Sequence, residues 1–186
     1  NNEVTVKVLN FCKTVAEPSV TVTVYQGLPK ADKMNYIVQK SVETGAVKIV
    51  PVMMLRCVSK PDQKASEKKV TRWQKIAAEA AKQSGRGIIP EVAQITEFKE
   101  AVDEAAKNGE VILFFEGGGE SISRIVNTGT KNLAVFIGPE GGFDQSEVDY
   151  VLQNGGKIGT LGARILRAET APVAALSAIM LASGNM

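Results

Sequence analysis

The chain has 186 residues, 44% of them hydrophobic, and a formal net charge of +2. That length and composition suit one substantial α/β domain with its own core, and so balanced a charge leaves nucleic-acid binding to be argued from local clusters. The absence of histidine excludes Ser-His-Asp and Cys-His catalysis and histidine-bearing zinc sites, and two cysteines alone do not close a structural zinc site. Chemistry then falls to carboxylates, Arg, Lys, Tyr, backbone donors or a cofactor with its own reactivity.

No window approaches the ~20 apolar residues that span a bilayer. The opening NNEVTVKV alternates like a strand and not like a signal peptide, and it lacks an initiator Met. These features predict a cytoplasmic chain with no membrane segment and no metal, beginning inside a longer parent. Cys12 and Cys57, far apart and not in a CxxC pair, are expected to be buried thiols, with a disulfide or a catalytic cysteine as the alternative.

Residues 3–9 and 20–26 alternate strictly and predict strands. Asp32 is the expected N-cap of a helix from 33 to about 44, with Met34, Ile37, Val38 and Val42 at helical spacing and Gly45 at its end. The run VKIVPVMML, 47–55, predicts a buried parallel strand. Residues 56–69 are charged and predict a loop. A helix is expected from 70 to about 84, lined by Trp73, Ile76, Ala77, Ala80 and Ala81. With Trp73 in the core, it offers no base-stacking platform. Thr96 is the expected cap of a helix ending at Gly109, and VILFFEGGG, 111–119, reads as a strand entering a glycine turn. A short helix around 122–126, a strand over 133–138, a helix opened by an Asp144/Glu147 capping box, a strand over 157–162 and a final apolar helix over 169–183 complete the order. From residue 47 onward strands alternate with helices, the pattern of a parallel sheet with helices on its faces.

Three strand ends carry glycine turns: FFEGGG, IGPEGGF and LGARILR. In open α/β sheets ligands bind beyond the carboxyl ends of the strands, and glycine lets the backbone approach them. None of the turns matches GxGxxG or GxxxxGK[ST]. A neutral lining of amides and carbonyls suits an uncharged adenine better than a polyphosphate. Glu116, Glu140, Arg164, Arg167 and Glu169 stand beside the turns; structural pairing, for example of Arg167 with Glu169 or Glu140, is one reading of them and catalysis the other. Lys30, Lys33, Lys40, Arg56, Lys60, Arg72, Lys75, Lys82 and Arg86 crowd one segment, either as a solvated face or as an RNA contact.

IGPEGGFDQSEV followed by LGARILRAETAPVAALSAIM resembles the RsmE family, the 16S ribosomal RNA uridine-N3 methyltransferases of the SPOUT class. LPKADKMNYIVQKSVETGAVKIVPV and RWQKIAAEAAKQSGR are also similar to that family, so the resemblance covers residues 25–182. It implies an α/β knot domain: a mostly parallel sheet with helices on both faces and a C-terminal deep trefoil knot, an exception to unknotted topology. It also implies S-adenosylmethionine as cofactor, 16S ribosomal RNA of the small subunit as substrate, and a homodimer. Residues 1–24 would then be the remnant of an N-terminal PUA-like β-domain and 25–186 the catalytic domain.

Carried over by position, the cofactor contacts are Phe115, Glu116 and Gly117; Ile137, Gly138, Glu140, Gly141 and Gly142; and Leu161, Gly162, Ile165, Leu166, Arg167 and Thr170. The catalytic candidates are Arg164 and Arg167, with Glu140 or Glu169 orienting an arginine or accepting the proton. The RNA candidates are Lys30, Lys33, Arg56, Arg72 and Arg86. The family usually reads RTET where this chain reads Arg167-Ala168-Glu169-Thr170, so Ala168 lacks a hydroxyl. A SPOUT enzyme acting on a ribose 2′-hydroxyl or a transfer RNA, and an RNA-binding relative without catalysis, stay open. A Rossmann oxidoreductase lacks its fingerprint.

Overall fold

Alternating apolar residues at Val20, Val22 and Val24 seed an interior strand of the sheet, β1 (Thr21–Gly27). In the computed structural model, which describes residues 4–11 and 14–186, it is followed by α1 (Lys33–Glu43), β2 (Lys48–Met53), α2 (Gln63–Gln83), β3 (Glu91–Val92), β4 (Thr96–Glu97), α3 (Phe98–Asn108), β5 (Glu110–Phe114), β6 (Glu120–Ser121), α4 (Ile122–Ile125), β7 (Asn132–Ile137), α5 (Gln145–Gln153), β8 (Lys157–Thr160) and α6 (Ala171–Ala182). Every strand pairing is parallel, in the order β3-β2-β1-β7-β5-β8-β6, with β4 against β2.

The period of two divides the strands between two cores. Tyr25, Val111, Leu113, Ala134 and Phe136 face one side and pack with α1, α2, α3 and α5. Val22, Val24, Ile112, Phe114, Leu133, Val135 and Ile137 face the other and pack with α4 and α6. Because β8 lies between β5 and β6, the segment joining β5 to β7 passes around it before the chain returns to the centre. The chain leaving β8 then packs as α6 on the β1–β7 side. This arrangement fits a C-terminal knot.

Several expectations are corrected. Residues 4–9 form no strand; Val4, Val6, Val8 and Leu9 are exposed, because an alternating segment without a neighbouring strand has nothing to satisfy its ladder. Residue 3 lies outside the described residues, as do Cys12 and Lys13. The boundary expected at 24/25 falls inside β1, so residues 21–24 belong to the α/β sheet. The stretch expected as a loop to 69 becomes helical at Gln63, where the Asp62 carboxylate caps α2 by accepting from the Ala65 N–H at 2.8 Å. Asp32 precedes α1 without capping it, and its carboxylate meets Arg72 at 3.3 Å instead. Thr96 sits in β4, and its hydroxyl donates to the Gln94 carbonyl. Trp73 is buried, and so is Cys57, whose thiol burial pushes upward in pKa. Among the described residues no helix is long and apolar enough to cross a membrane.

Candidate active site

All strands run the same way, so the turns after β5, β7 and β8 emerge at one edge of the sheet, from three neighbouring strands. They line one cavity of about 490 Å³, together with Lys33 from α1 and Ala171 from α6. Phe114, Phe115, Ile137, Phe143, Leu161 and Leu166 give it apolar walls.

The 138–142 turn is held from several directions. Gly27 lets it lie against β1, since a Cβ there would meet the Pro139 ring at 2.6 Å. Gln26, fully buried, donates from Nε2 to the carbonyls of Gly27 and Gly138 at 3.0 and 3.3 Å, while its Oε1 is buried without a partner. Gly142 has φ +66°, and a Cβ there would stand 2.5 Å from Glu116 Oε1. The Arg56 guanidinium donates to the Gly141 carbonyl at 3.1 Å and pairs with Asp144 at 3.5 Å. The α5 capping box is present, and its Glu147 carboxylate also accepts from the Leu55 N–H at 2.9 Å, tying this turn to the end of β2.

Lys33 is the electrostatic centre of the wall. Its Nζ lies 2.9 Å from Glu140 and 3.1 Å from Glu169. Both contacts raise the lysine's pKa, Glu140 foremost. Burial pushes the Glu140 carboxyl upward, but Lys33 and the backbone N–H groups of Glu140 and Lys30 outweigh it and hold it below the usual carboxylate value. Glu169 is also lowered, by its own backbone N–H first and then by Lys33 against the opposing effect of burial. Both carboxylates turn to Lys33, a compact ammonium able to meet two carboxylates at once, and the charge of Arg167 lowers Glu169 further.

Of the expected cofactor contacts, Phe115, Glu116, Ile137, Gly138, Glu140, Gly141, Gly142, Leu161, Gly162, Ile165, Leu166 and Arg167 line the cavity. Gly117 lies beyond the wall in its turn, and Thr170 stands at the N-cap of α6 without a side-chain cap bond. Arg164 and Arg167 line the cavity, are exposed, and make no ion pair among the described residues. Glu169 stands behind Lys33. Ala168 is buried in the wall itself, which is where its missing hydroxyl would act.

The five RNA candidates do not form one patch. Lys33 belongs to the cavity, Arg56 braces its rim, Lys30 is exposed beside Glu140, and Arg72 is exposed on α2. Arg86 is a correction. Its side chain is 2% exposed, pairs with Glu17 at 2.6 Å and donates to the Val42 and Ala46 carbonyls, so its fork is spent inside the fold. Gln26 was not anticipated as a site residue. The signal was a polar residue at position 26, in phase with the buried Val22 and Val24.

The cavity offers apolar walls to a ring and both signs of charge to polar ends, with Lys33, Arg164 and Arg167 beside the carboxylates. Carboxylates of Glu116 and Glu140 line it, and the volume lies within the ~300–1,000 Å³ of small-molecule sites. Among the described residues the backbone of residues 163–166 makes no hydrogen bond, leaving its groups to a ligand. A parallel α/β sheet in which three neighbouring strands end in one glycine-walled cavity defines a class of cofactor-binding α/β domain. The family model for an RNA methyltransferase domain matches residues 16–180. The chain is 38% identical to ribosomal RNA small subunit methyltransferase E of Bacillus subtilis, over 96% of this chain and 72% of that protein. It is 33% identical to the protein of that name from Aquifex aeolicus, over 91% and 74%. The crystal structure of ribosomal RNA small subunit methyltransferase E from Neisseria gonorrhoeae, bound to S-adenosyl methionine, superposes with a TM-score of 0.79 at 34% identity, over 88% of this chain and 67% of that one. The chain belongs to this family of RNA methyltransferases, with the small subunit methyltransferases E.

Proposed function

We propose that the protein is an S-adenosylmethionine-dependent methyltransferase acting on N3 of a uridine in 16S ribosomal RNA. The observation that carries this is the convergence of three glycine turns from neighbouring strands on one cavity, in a chain of this family. The Neisseria relative's bound S-adenosyl methionine supports the choice of cofactor.

When bound, S-adenosylmethionine supplies a methyl group on an electrophilic sulfonium. The 138–142 and 161–167 turns would hold it through backbone groups, with Glu116 or Glu140 toward its cationic end. Arg164 and Arg167, exposed at the cavity and without an ion pair among the described residues, stabilise the charge that develops on the uracil oxygens when N3 loses its proton. The lowered carboxyls of Glu140 and Glu169 make weak bases near neutrality. Their task is to fix Lys33 and, through it, to join α1 to both turns, and the N3 proton leaves to solvent. Because N3 is a pairing-edge atom, the target base enters unpaired or flipped out.

The same reading places Lys30 and Arg56 beside the entering RNA, the catalytic domain after a short N-terminal piece of a PUA-like β-domain, the α6 segment within a trefoil knot, and the active form as a cytoplasmic homodimer. Its test is methyl transfer from labelled cofactor to naked 16S RNA and to small subunits. Transfer to either supports the function; transfer to neither, with cofactor binding intact, refutes it for this chain.

A further inference from the structure

Once the buried and paired cations are set aside, the positive charge of the 30–86 segment resolves into one row. Lys40 pairs with Glu43, Arg86 is inside the fold, and Lys33 is in the cavity. What remains lies largely on α2. At 3.6 residues per turn, Lys64, Lys68, Arg72, Lys75 and Lys82 fall within an arc of about 80°, and all five are exposed. Val70, Trp73, Ala77, Ala80 and Ala81 occupy the opposite, buried side. The row is about 27 Å long at 1.5 Å per residue. Glu79 is the one acid in the arc, and the one ion pair among these described cations is the exposed contact of Arg72 with Asp32.

Two further observations aim this row at a ligand. α2 begins just after the end of β2, the edge at which the cavity opens, and Arg56 in the connecting loop touches the Gly141 carbonyl of the cavity turn. The row therefore starts at the end of α2 that follows the loop bracing the cavity rim, where Arg56 is paired with Asp144, and runs along the helix from Lys64. Beside it, α1 and α2 enclose a trough of about 650 Å³ with half-exposed Tyr36 flanked by Asn35, Gln39, Lys75 and Gln83, and with the carboxylates of Asp32, paired to Arg72, and Glu79 on its wall. An aromatic face bordered by amides and an ammonium is the chemistry that stacks an unpaired base and bonds its edge.

We propose that the exposed face of α2 is the docking strip for the RNA backbone flanking the target nucleotide, with an unpaired base seated on Tyr36. This rests on the reading of the substrate as RNA. Phosphates are the fitting occupant because five cations spread over such a length meet successive charges on a chain, and a compact anion would engage one or two of them.

The test compares the wild type with K64Q/K68Q/K75Q, all exposed helix positions. Binding to naked 16S RNA is measured against salt without cofactor, methyl transfer to small subunits with it, and S-adenosylmethionine affinity by calorimetry. The triple variant is expected to have a log K against log salt slope shallower by about 2, from three single-strand phosphate contacts at about 0.7 each. Its KM for RNA is expected to rise at least tenfold, with cofactor affinity and kcat at saturating RNA unchanged. Y36A is expected to weaken RNA binding about tenfold without changing the slope. An unchanged slope and KM in a triple variant made from an active wild type overturns the strip. So does a loss confined to protein-containing subunits and absent on naked RNA, which would make the occupant an acidic protein segment. A wild type that binds RNA with the full slope yet transfers no methyl group contradicts the proposed activity and leaves the strip standing.

Discussion

Replacing Arg86 with Met separates a structural cation from an RNA-binding one. The side chain is 2% exposed, and its guanidinium pairs with Glu17 Oε2 at 2.6 Å and bonds the Val42 and Ala46 carbonyls. Met keeps much of the aliphatic volume but removes the guanidinium from the Glu17 carboxylate, which keeps only the Gly87 and Ile88 N–H groups, and takes this donor from both carbonyls. Removing one member of a buried pair costs about 3–5 kcal/mol. Glu17 is 18% exposed and regains some water, so the lower end, about 3 kcal/mol, is expected. For a chain of this size that lowers Tm by about 6–12 °C. Glu17 is held below its ordinary pKa of 4.5 chiefly by its hydrogen bond to Arg86, against burial. Its contribution to stability is therefore present above pH 4.5 and lost as pH falls through the lower folded-state value. The variant should show a correspondingly flatter loss of stability in acid. Thermal melts from pH 3 to 7, with RNA binding alongside, decide the matter. A variant that melts like the wild type and binds ribosomal RNA more weakly would refute this role and make Arg86 an RNA contact.

The remaining predictions concern the cavity. Arg167→Ala should lower turnover about 10²–10³-fold, the size of a lost oxyanion donor, and leave the melting temperature unchanged, because the side chain is exposed and makes no ion pair among the described residues; undiminished turnover removes it from the mechanism. Gly142→Ala forces a Cβ into positive φ and against Glu116, a backbone cost of about 1–2 kcal/mol, so cofactor affinity measured by calorimetry should drop about tenfold; unchanged affinity places the cofactor elsewhere. Glu140 and Glu169 have lowered pKa values, so their ionic contacts persist as pH falls to below 4.5, and the raised Lys33 keeps its charge to above pH 10.5. Cofactor affinity should therefore stay flat from about pH 6 to 9, and a titration step near neutrality would show that another group governs the site. Cys57, buried and raised in pKa, should resist thiol reagents in the native protein and react on unfolding.

What the sequence made legible follows from locality. β1, β2, β5, β7 and β8 were readable from apolar runs of the right length ending at turn residues, and the cavity from glycines at three of those ends. The α5 capping box was readable because both partners lie within four residues. The fate of charges was not. Arg86 meets Glu17 across 69 positions, and Lys33 meets Glu140 and Glu169 from the far end of the chain; no local window distinguishes them from solvated cations. Two-residue strands such as β3 and β6 carry no periodicity to read. The segment at 4–9 shows the converse, since a perfect alternation forms no strand without a neighbour.

The central claim is that the glycine-walled cavity presents a methyl donor to a uracil N3. The most direct measurement is mass analysis of nucleosides from small-subunit RNA incubated with this protein and isotope-labelled S-adenosylmethionine. The account predicts label in 3-methyluridine at a single position, lost with Arg167→Ala. Label in a 2′-O-methylated nucleoside, or no label from a protein that binds the cofactor, would contradict it.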